Sequence, residues 1–366
     1  MDLPTEGEHT TLTVDSPEVT SLYDALVESL RFRVRDIQLP PSPDLSARRP
    51  CSHAEDVKVA VLFSGGVDCA TIARIAHQVL PHHEPIDLLN VAFENPRVVA
   101  ARKSSANGDG RAGLKKTKGP GEPDLELEPR NSADLDPYSL CPDRSTGLSS
   151  FHELCESCPT RPWRFVAINI PYAEVLAHRS TVIGLIHPHS TEMDLSIGLA
   201  FYFAARGRGT LQSPTGGQHD YATSARILLS GLGADELLGG YTRHATAFRR
   251  SGYRGLLDEL NLDFQRLGRR NLGRDDRVAS HWAKELRYPF LDDRVVSWAM
   301  AAPVRAKCPL DSGGDGNAKK VLRLLAQRLG MPKAATEVKR AVQFGARSAK
   351  MSVDSRKAKG TDGLVK

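Results

Sequence analysis

Apolar residues fall along this chain in two kinds of run. The first kind is short and nearly continuous. Val57 to Phe63 reads Val-Lys-Val-Ala-Val-Leu-Phe, and Ile86 to Phe93 reads Ile-Asp-Leu-Leu-Asn-Val-Ala-Phe. Arg164 to Ile170 and Ala225 to Leu229 have the same character. Short apolar runs of this kind predict strands buried in a sheet. The second kind repeats at helical spacing. Leu22, Leu26, Leu30 and Val34 form a stripe between Ser21 and Ile37, with Tyr23 and Val27 beside it. That spacing predicts an amphipathic helix packed on the sheet. Cys69 to Ala76 and Tyr172 to Arg179 also read as helices, and Thr191 to Phe203 as an apolar, buried one. Gly207 to Gln218 reads as a loop. Beyond Gly240 the chain reads as mostly helical, with stripes at Leu256, Leu257, Leu260, Phe264 and Leu267, at Val295, Val296, Ala299 and Met300, and at Val321, Leu322, Leu325 and Leu329. The expected class is α/β: a doubly wound, mostly parallel sheet with a helical C-terminal part.

Polar stretches divide these elements. Residues 1–20 and 351–366 read as loose tails, and Pro40 to Pro50 as a linker. Glu94 to about Pro137 reads as a disordered, solvated insert. Arg102, Lys103, Arg111, Lys115, Lys116 and Lys118 load its first half; Glu122, Asp124, Glu126 and Glu128 load its second. A basic patch for RNA or a phosphate-rich partner is the alternative reading of this segment. The folded part is then one domain over residues 21–350.

Two glycine turns carry the candidate chemistry. Ser64-Gly65-Gly66-Val67-Asp68 stands between the Val57–Phe63 strand and the helix that follows. A helix start exposes unpaired N–H groups and a positive dipole end, which suits a phosphate. Glycines let the backbone approach an anion, Ser64 adds a hydroxyl, and Asp68 can hold the magnesium that accompanies a nucleotide. A Gly-Gly turn joining any strand to any helix is the plain alternative. The turn is neither a Walker loop nor a Gly-x-Gly-x-x-Gly fingerprint. The second turn, Ser230-Gly231-Leu232-Gly233-Ala234-Asp235-Glu236, follows the Ala225–Leu229 strand and continues to Gly239-Gly240-Tyr241. Ligands of doubly wound sheets bind at the carboxyl ends of strands, so both turns would line one crevice. Asp68 and Asp235 could then share a magnesium ion.

The first turn resembles the pyrophosphate loop, SGGxDS, of the ATP-pyrophosphatase (PP-loop) superfamily, with Cys69 in place of the second serine. The second turn is similar to the Ser-Gly-x-Gly-x-Asp-Glu-x-x-x-Gly-Gly-Tyr motif of the synthetase domain of asparagine synthetases. Glu285-Leu286-Arg287-Tyr288-Pro289-Phe290-Leu291-Asp292 resembles that family's E-x-R-x-P-F-L-D element. Ile86 to Phe93, Asn271 to Val278 and Lys339 to Gly345 are closer still to the subgroup of asparagine synthetase domain-containing proteins. The resemblance runs from about Ser21 to about Lys350. It implies the PP-loop (adenine nucleotide α-hydrolase-like) fold and an AMP-forming ligase of the asparagine synthase (glutamine-hydrolysing) type. It implies ATP and Mg2+ as cofactors, and aspartate with ammonia or glutamine-derived nitrogen as substrates. Carried over by residue, it places Leu62 and Val91 beside the adenine. Ser64, Gly65, Gly66 and Asp68 fall at the pyrophosphate and metal, and Ser230 and Gly231 at the nucleotide. Asp235 becomes the second metal carboxylate, Lys339 the transition-state lysine with Arg340 competing, and Lys319 and Lys320 a basic position facing the phosphates. With Arg287, the Arg274-Asp275-Asp276-Arg277 cluster would grip the acceptor carboxylate, or else be a surface ion-pair network.

Two departures from the family pattern stand out. Leu232 replaces a glutamate that handles ammonia and the acyl-adenylate, and leucine cannot take a proton. The chain starts Met-Asp-Leu rather than Met-Cys, so a glutaminase would have to come from a longer product or ammonia from elsewhere. A catalytically impaired ATP-binding module of the same family is therefore the second reading, and a tRNA-modifying PP-loop enzyme with Cys155 or Cys158 carrying sulfur the third.

Composition narrows the field only a little. With 366 residues, 40% of them hydrophobic, the chain can build a sizeable core. A net charge of +5 does not call for nucleic acid. No apolar run is long enough to span a bilayer, and the expected location is cytoplasmic. Cys51, Cys69, Cys141, Cys155, Cys158 and Cys308 are scattered and make no disulfide framework. Cys155-Glu156-Ser157-Cys158 has metal-ligand spacing without a second pair, and His187-Pro188-His189 reads as a turn before it reads as a ligand set.

Overall fold

The apolar runs become β1 (Val59–Leu62), β2 (Ile86–Phe93) and β3 (Trp163–Ile170). The structure is a computed structural model that describes residues 12–37, 57–100, 136–212, 218–310, 318–349, 351 and 360–364. After β3 come β4 (Arg208–Gln212), β5 (Gln218–Ala222), β6 (Ile227–Leu229) and β7 (Glu285–Arg287). They form one sheet in the order β5-β4-β3-β2-β1-β6-β7. β3, β2, β1, β6 and β7 run parallel; β4 and β5 add an antiparallel hairpin at one edge. That hairpin replaces the loop expected from Gly207. Its residues are mostly polar and at best half-buried, so they carry no apolar alternation to read.

Alternation along the strands divides the core into two layers. Val59, Val61, Ile86, Leu88, Ile227 and Leu229 face one side. That side is covered by α1 (Pro17–Val34) and α2 (Val67–Val79), with α3 (Pro142–Ser157) farther along. Ala60, Leu89, Val91, Val166, Ile168 and Leu228 face the other, under α4 (Tyr172–Ile186) and α5 (Glu192–Arg206). Helices on both faces make the sheet doubly wound.

The C-terminal half is helical, as its stripes imply. After β6 come the short α6 (Ala234–Leu238), α7 (Thr242–Leu267), which is broken by a kink at Ser251 and Gly252, a π-helical turn Gly268–Leu272, and α8 (Gly273–Ser280), which joins the second layer. α9 (Asp293–Ala301), α10 (Val304–Lys307), α11 (Lys320–Arg328), α12 (Pro332–Thr336) and α13 (Val342–Gly345) follow.

α1 is a core element. Val19, Leu22, Leu26, Leu30 and Val34 are all buried on one face, each contributing roughly 1.5–3 kcal/mol of burial. It begins at Pro17 rather than Ser21, with proline in the first turn where its missing N–H costs nothing. Residues 12–20 are therefore not part of a loose tail. Residues 360–364 also depart from the tail expected there. They pair with the start of α5 through Thr191 and Gly363, and the Leu364 N–H donates to the Ser190 carbonyl at 2.7 Å. Glu94 and Asn95 belong to the fold as well, because the Asn95 amide donates to the Arg347 and Ala349 carbonyls. Residues 101–135 of the expected insert and the Pro40–Pro50 linker lie outside the described residues. No helix among the described residues is long and apolar enough to cross a membrane.

The chain grows from β1 through β2 to β3 on one side, then returns to lay β6 and β7 on the other. The crevice between the carboxyl ends of β1 and β6 is thus a topological switch point, where open α/β sheets bind ligands.

Candidate active site

Both glycine turns open into that crevice. Gly65 has φ +83°, and a Cβ there would lie 2.3 Å from the Thr146 carbonyl oxygen. Only glycine fits, because α3 presses on the loop from behind. α3 also holds the loop's polarity. The Thr146 hydroxyl donates to the Ser64 carbonyl at 2.8 Å, and the Ser150 hydroxyl to the Gly65 carbonyl at 2.7 Å. With both carbonyls tied back, the unpaired N–H groups at the start of α2 are left for a ligand. Nothing in the turn's own sequence announces Thr146 or Ser150, which arrive from a distant helix. Cys69 is folded away: its thiol donates to the Gly66 carbonyl at 3.2 Å, and burial pushes it up to about 11.

The second turn packs directly on the first. A Cβ on Gly231 would sit 3.0 Å from Asp68 Cβ, and one on Gly240 would sit 1.9 Å from Asp235 Oδ1. Glu236 is held by its own surroundings. It accepts from the Tyr241 hydroxyl at 2.6 Å and from the Gly233 N–H at 3.2 Å. Burial, with Asp235 beside it, raises its pKa.

Asp68 and Asp235, far apart in sequence, meet on one ammonium group. Lys319 Nζ lies 2.8 and 2.9 Å from the two Asp68 oxygens and 2.8 Å from Asp235 Oδ1. Lys339 Nζ lies 2.5 Å from Asp235 Oδ2. Burial alone would raise the Asp235 pKa, but the two lysines outweigh it and hold the carboxylate well below its usual range. Burial likewise opposes the charge on Lys339, and Asp235 and Asp68 reverse that, raising its pKa. Lys319 is 1% exposed and adopts φ +56°, a left-handed conformation uncommon outside glycine. Such strained residues gather at functional sites. Arg340, the competitor for the Lys339 position, pairs instead with Glu337 at 3.8 Å.

The cleft above these groups has a volume of about 380 Å³, within the range of small-molecule sites. Leu62 and Val91 line it, as do Ser64, Gly66 and Asp68 of the first turn. Ser230, Gly231, Leu232 and Asp235 of the second turn line it too, together with Lys339. Gly65 stands just behind, against α3. Arg287 does not join them, which corrects its expected place. Its Nε donates to Glu285 at 2.8 Å and another nitrogen to the Arg33 carbonyl. Leu286 faces the α4–α5 layer, so alternation along β7 turns Arg287 toward α1. Arg274 reaches the cleft but is 4% exposed and clamped by Asp275 at 2.8 Å and Asp194 at 3.0 Å. Arg274 and Asp275 thus form an internal ion-pair network with Asp194, whereas Arg277 donates to the Leu185 and Ile186 carbonyls and Asp276 is exposed.

Asp143, at the start of α3, is a site-lining residue that the sequence did not announce. Burial pushes its carboxyl up to about 7, against the opposing pull of Arg340 and Lys339. The folded protein then holds a proton that the unfolded chain releases near pH 4. Stability is expected to fall as pH rises from about 4 to about 7. Asp143→Asn is expected to flatten that fall by roughly 4 kcal/mol. Urea unfolding of both proteins across this range measures it, and equal slopes would contradict the assignment.

Among the described residues no group of three or more His, Cys, Asp or Glu side chains is placed to hold a metal ion. The Asp68–Asp235 pair does fit a cation, since it already holds an ammonium between three carboxylate oxygens. Two carboxylates suit magnesium whose other positions are filled by phosphate oxygens and water. The Cys155 thiol is pushed up to about 11 by burial, the opposite of a reactive thiolate.

Residues 250–359 match the asparagine synthase family. The chain is 39% identical over 338 residues to asparagine synthetase domain-containing protein 1 of Homo sapiens, an alignment covering 91% of this chain and 52% of that protein. It is 40% identical over 312 residues to the Gallus gallus protein of the same name, covering 84% and 48%. Identity is 36% over 350 residues with an asparagine synthetase domain-containing protein of Saccharomyces cerevisiae, covering 93% and 55%. The chain spans about half the length of the curated relatives it matches. Residues 250–359 are thus similar to the asparagine synthase family, and most of the chain is similar to about half of the asparagine synthetase domain-containing proteins.

Proposed function

We propose that this chain is an ATP-dependent, AMP-forming amide ligase of the asparagine synthetase type, built on a PP-loop fold. The observation that carries the reading is the meeting of Asp68 and Asp235 on one buried cation position between two glycine turns. In this reading the N–H groups at the start of α2, with Ser64 and Ser230, hold the nucleotide's phosphates. Leu62 and Val91 flank the base. Asp68 and Asp235 hold magnesium, which when bound neutralises phosphate charge. Lys319 and Lys339 add two further positive charges beside the same oxygens. A carboxylate oxygen of aspartate attacks the α-phosphorus. The bond to the β-phosphate breaks and pyrophosphate leaves. Ammonia then attacks the acyl carbon, and AMP departs with the C–O electron pair. The ammonia is free, or is drawn from glutamine by a glutaminase in a longer product.

The test is incubation of the purified chain with ATP, magnesium, aspartate and ammonium. Asparagine and AMP in equal amounts support the reading. ATP binding without either product overturns it in favour of a nucleotide-binding module, the reading that Leu232 favours. Leu232 lines the cleft where the resembled family has a proton-accepting glutamate. Leu232→Glu is expected to leave ATP affinity within about twofold and to raise the amidation rate roughly tenfold or more. An unchanged rate would show that the missing carboxylate is not what limits turnover. The raised pKa of the half-buried Cys155 weighs against a sulfur-transferring tRNA enzyme.

A further inference from the structure

The two ammonium groups that meet on Asp235 come from different segments. Lys319 stands at the start of α11, and Lys339 lies in the stretch 337–341 between α12 and α13. One side chain joins these segments. Arg323, one turn after Lys319, gives its backbone N–H to the Lys319 carbonyl at 3.0 Å. Its Nε donates to the Ala318 carbonyl, immediately before Lys319, at 2.9 Å. Its Nη1 donates to the Ala335 carbonyl at 2.6 Å and to the Glu337 carbonyl, two residues before Lys339, at 2.9 Å.

Capping of α12 accounts for the bonds to Ala335 and Glu337, since basic side chains often meet the last carbonyls of a helix. It does not account for the bond to Ala318, which belongs to the other segment. Three carbonyls on two segments suit the rigid fork of a guanidinium; a lysine offers a single nitrogen. Arg323 also lines a small cavity of about 50 Å³ together with Ser64, Asp68, Lys319 and Lys339. Burial lowers its pKa, and Asp68 and Asp235 are the carboxylates that most oppose that fall, so its charge is felt at the bridge.

We propose that Arg323 is a positioning residue: it clasps the two lysine-bearing segments together and so sets where the Lys319 and Lys339 ammonium groups stand over the Asp68–Asp235 pair. The consequence for catalysis rests on the ligase reading; the clasp does not.

Trypsin, with its cuts located by mass spectrometry, reads the clasp without turnover. Arg323→Lys keeps the charge but cannot reach three carbonyls. Cutting after Lys339 and Arg340 is expected to rise roughly tenfold or more in this variant. Arg74→Lys is the control. Arg74 Nε donates to the Leu329 carbonyl, at the other end of α11, at 3.0 Å, and its replacement is expected to leave those cuts unchanged. A reading on the unmodified chain needs no variant to fold: by NMR, the Arg323 Nε–H is expected to exchange with solvent roughly a hundredfold slower than in exposed arginines. Wild-type cutting in Arg323→Lys, an equal rise in Arg74→Lys, or fast exchange at Arg323 Nε overturns the proposal. With ATP, magnesium, aspartate and ammonium, Arg323→Lys is expected to lower kcat for AMP formation roughly a hundredfold and to leave KM for ATP within about threefold. An unchanged kcat overturns the positioning role. No AMP from the wild-type chain removes the ligase reading and leaves proteolysis and exchange to judge the clasp.

Discussion

Asparagine in place of Asp235 is expected to lower affinity for magnesium-ATP by roughly a hundredfold and to abolish AMP formation. Asparagine keeps the shape of the side chain and removes its charge. Lys339 then loses the carboxylate 2.5 Å away, and Lys319 keeps only Asp68. Removing one partner of a buried pair costs about 3–5 kcal/mol, so some loss of thermal stability is expected too. Gly240→Ala separates the two effects. Its Cβ would arrive 1.9 Å from Asp235 Oδ1 and push the carboxylate aside without deleting its charge. Both variants are expected to lose magnesium-dependent ATP binding in calorimetry, with the smaller drop in melting temperature for Gly240→Ala. Wild-type affinity in a folded Asp235→Asn protein would contradict the assignment.

Gly65→Ala is expected to be severely damaging. The backbone is left-handed there, and the new Cβ would meet the Thr146 carbonyl oxygen at 2.3 Å and its carbon at 2.4 Å. Both obstacles are backbone in α3, so no side chain can swing away. A destabilisation above about 3 kcal/mol is expected, together with loss of ATP binding. Gly184→Ala in α4 is the matched control. It has no atom within 4 Å of the added Cβ and should gain roughly 0.5–1 kcal/mol. Urea unfolding of the two variants tests the contrast. Similar effects would mean that α3 does not brace the loop as described.

What could be read in the sequence follows from where each signal resides. Val57 to Phe63 and Ile86 to Phe93 are buried on both faces, so their strands were visible as apolar runs. The Leu22–Val34 stripe was visible because α1 buries one face along its whole length. Both glycine turns could be read because a strand, a turn and a helix start must follow one another in the chain. The β4–β5 hairpin could not, since its residues are mostly polar, at best half-buried, and lack alternation.

Within the site, Asp68 and Asp235 were legible as residues, and their meeting followed from the switch point of the sheet. Lys319 could be placed only as one of two adjacent lysines near the phosphates. Its left-handed backbone and its place between the carboxylates are tertiary facts. Thr146 and Ser150 act through hydroxyls on carbonyls far away in sequence, a pairing that leaves no local pattern. Arg287 was misplaced for a related reason. A motif names a residue, but the alternation of β7 decides which layer its side chain enters.

The most direct measurement is anomalous diffraction from crystals grown with Mn2+ and a non-hydrolysable ATP analogue. The account predicts one manganese peak coordinated by both Asp68 and Asp235, with the triphosphate over the Ser64–Asp68 turn and the Lys319 ammonium displaced from the point it now fills. Metal and phosphates bound elsewhere, with Lys319 still bridging the two carboxylates, would contradict it.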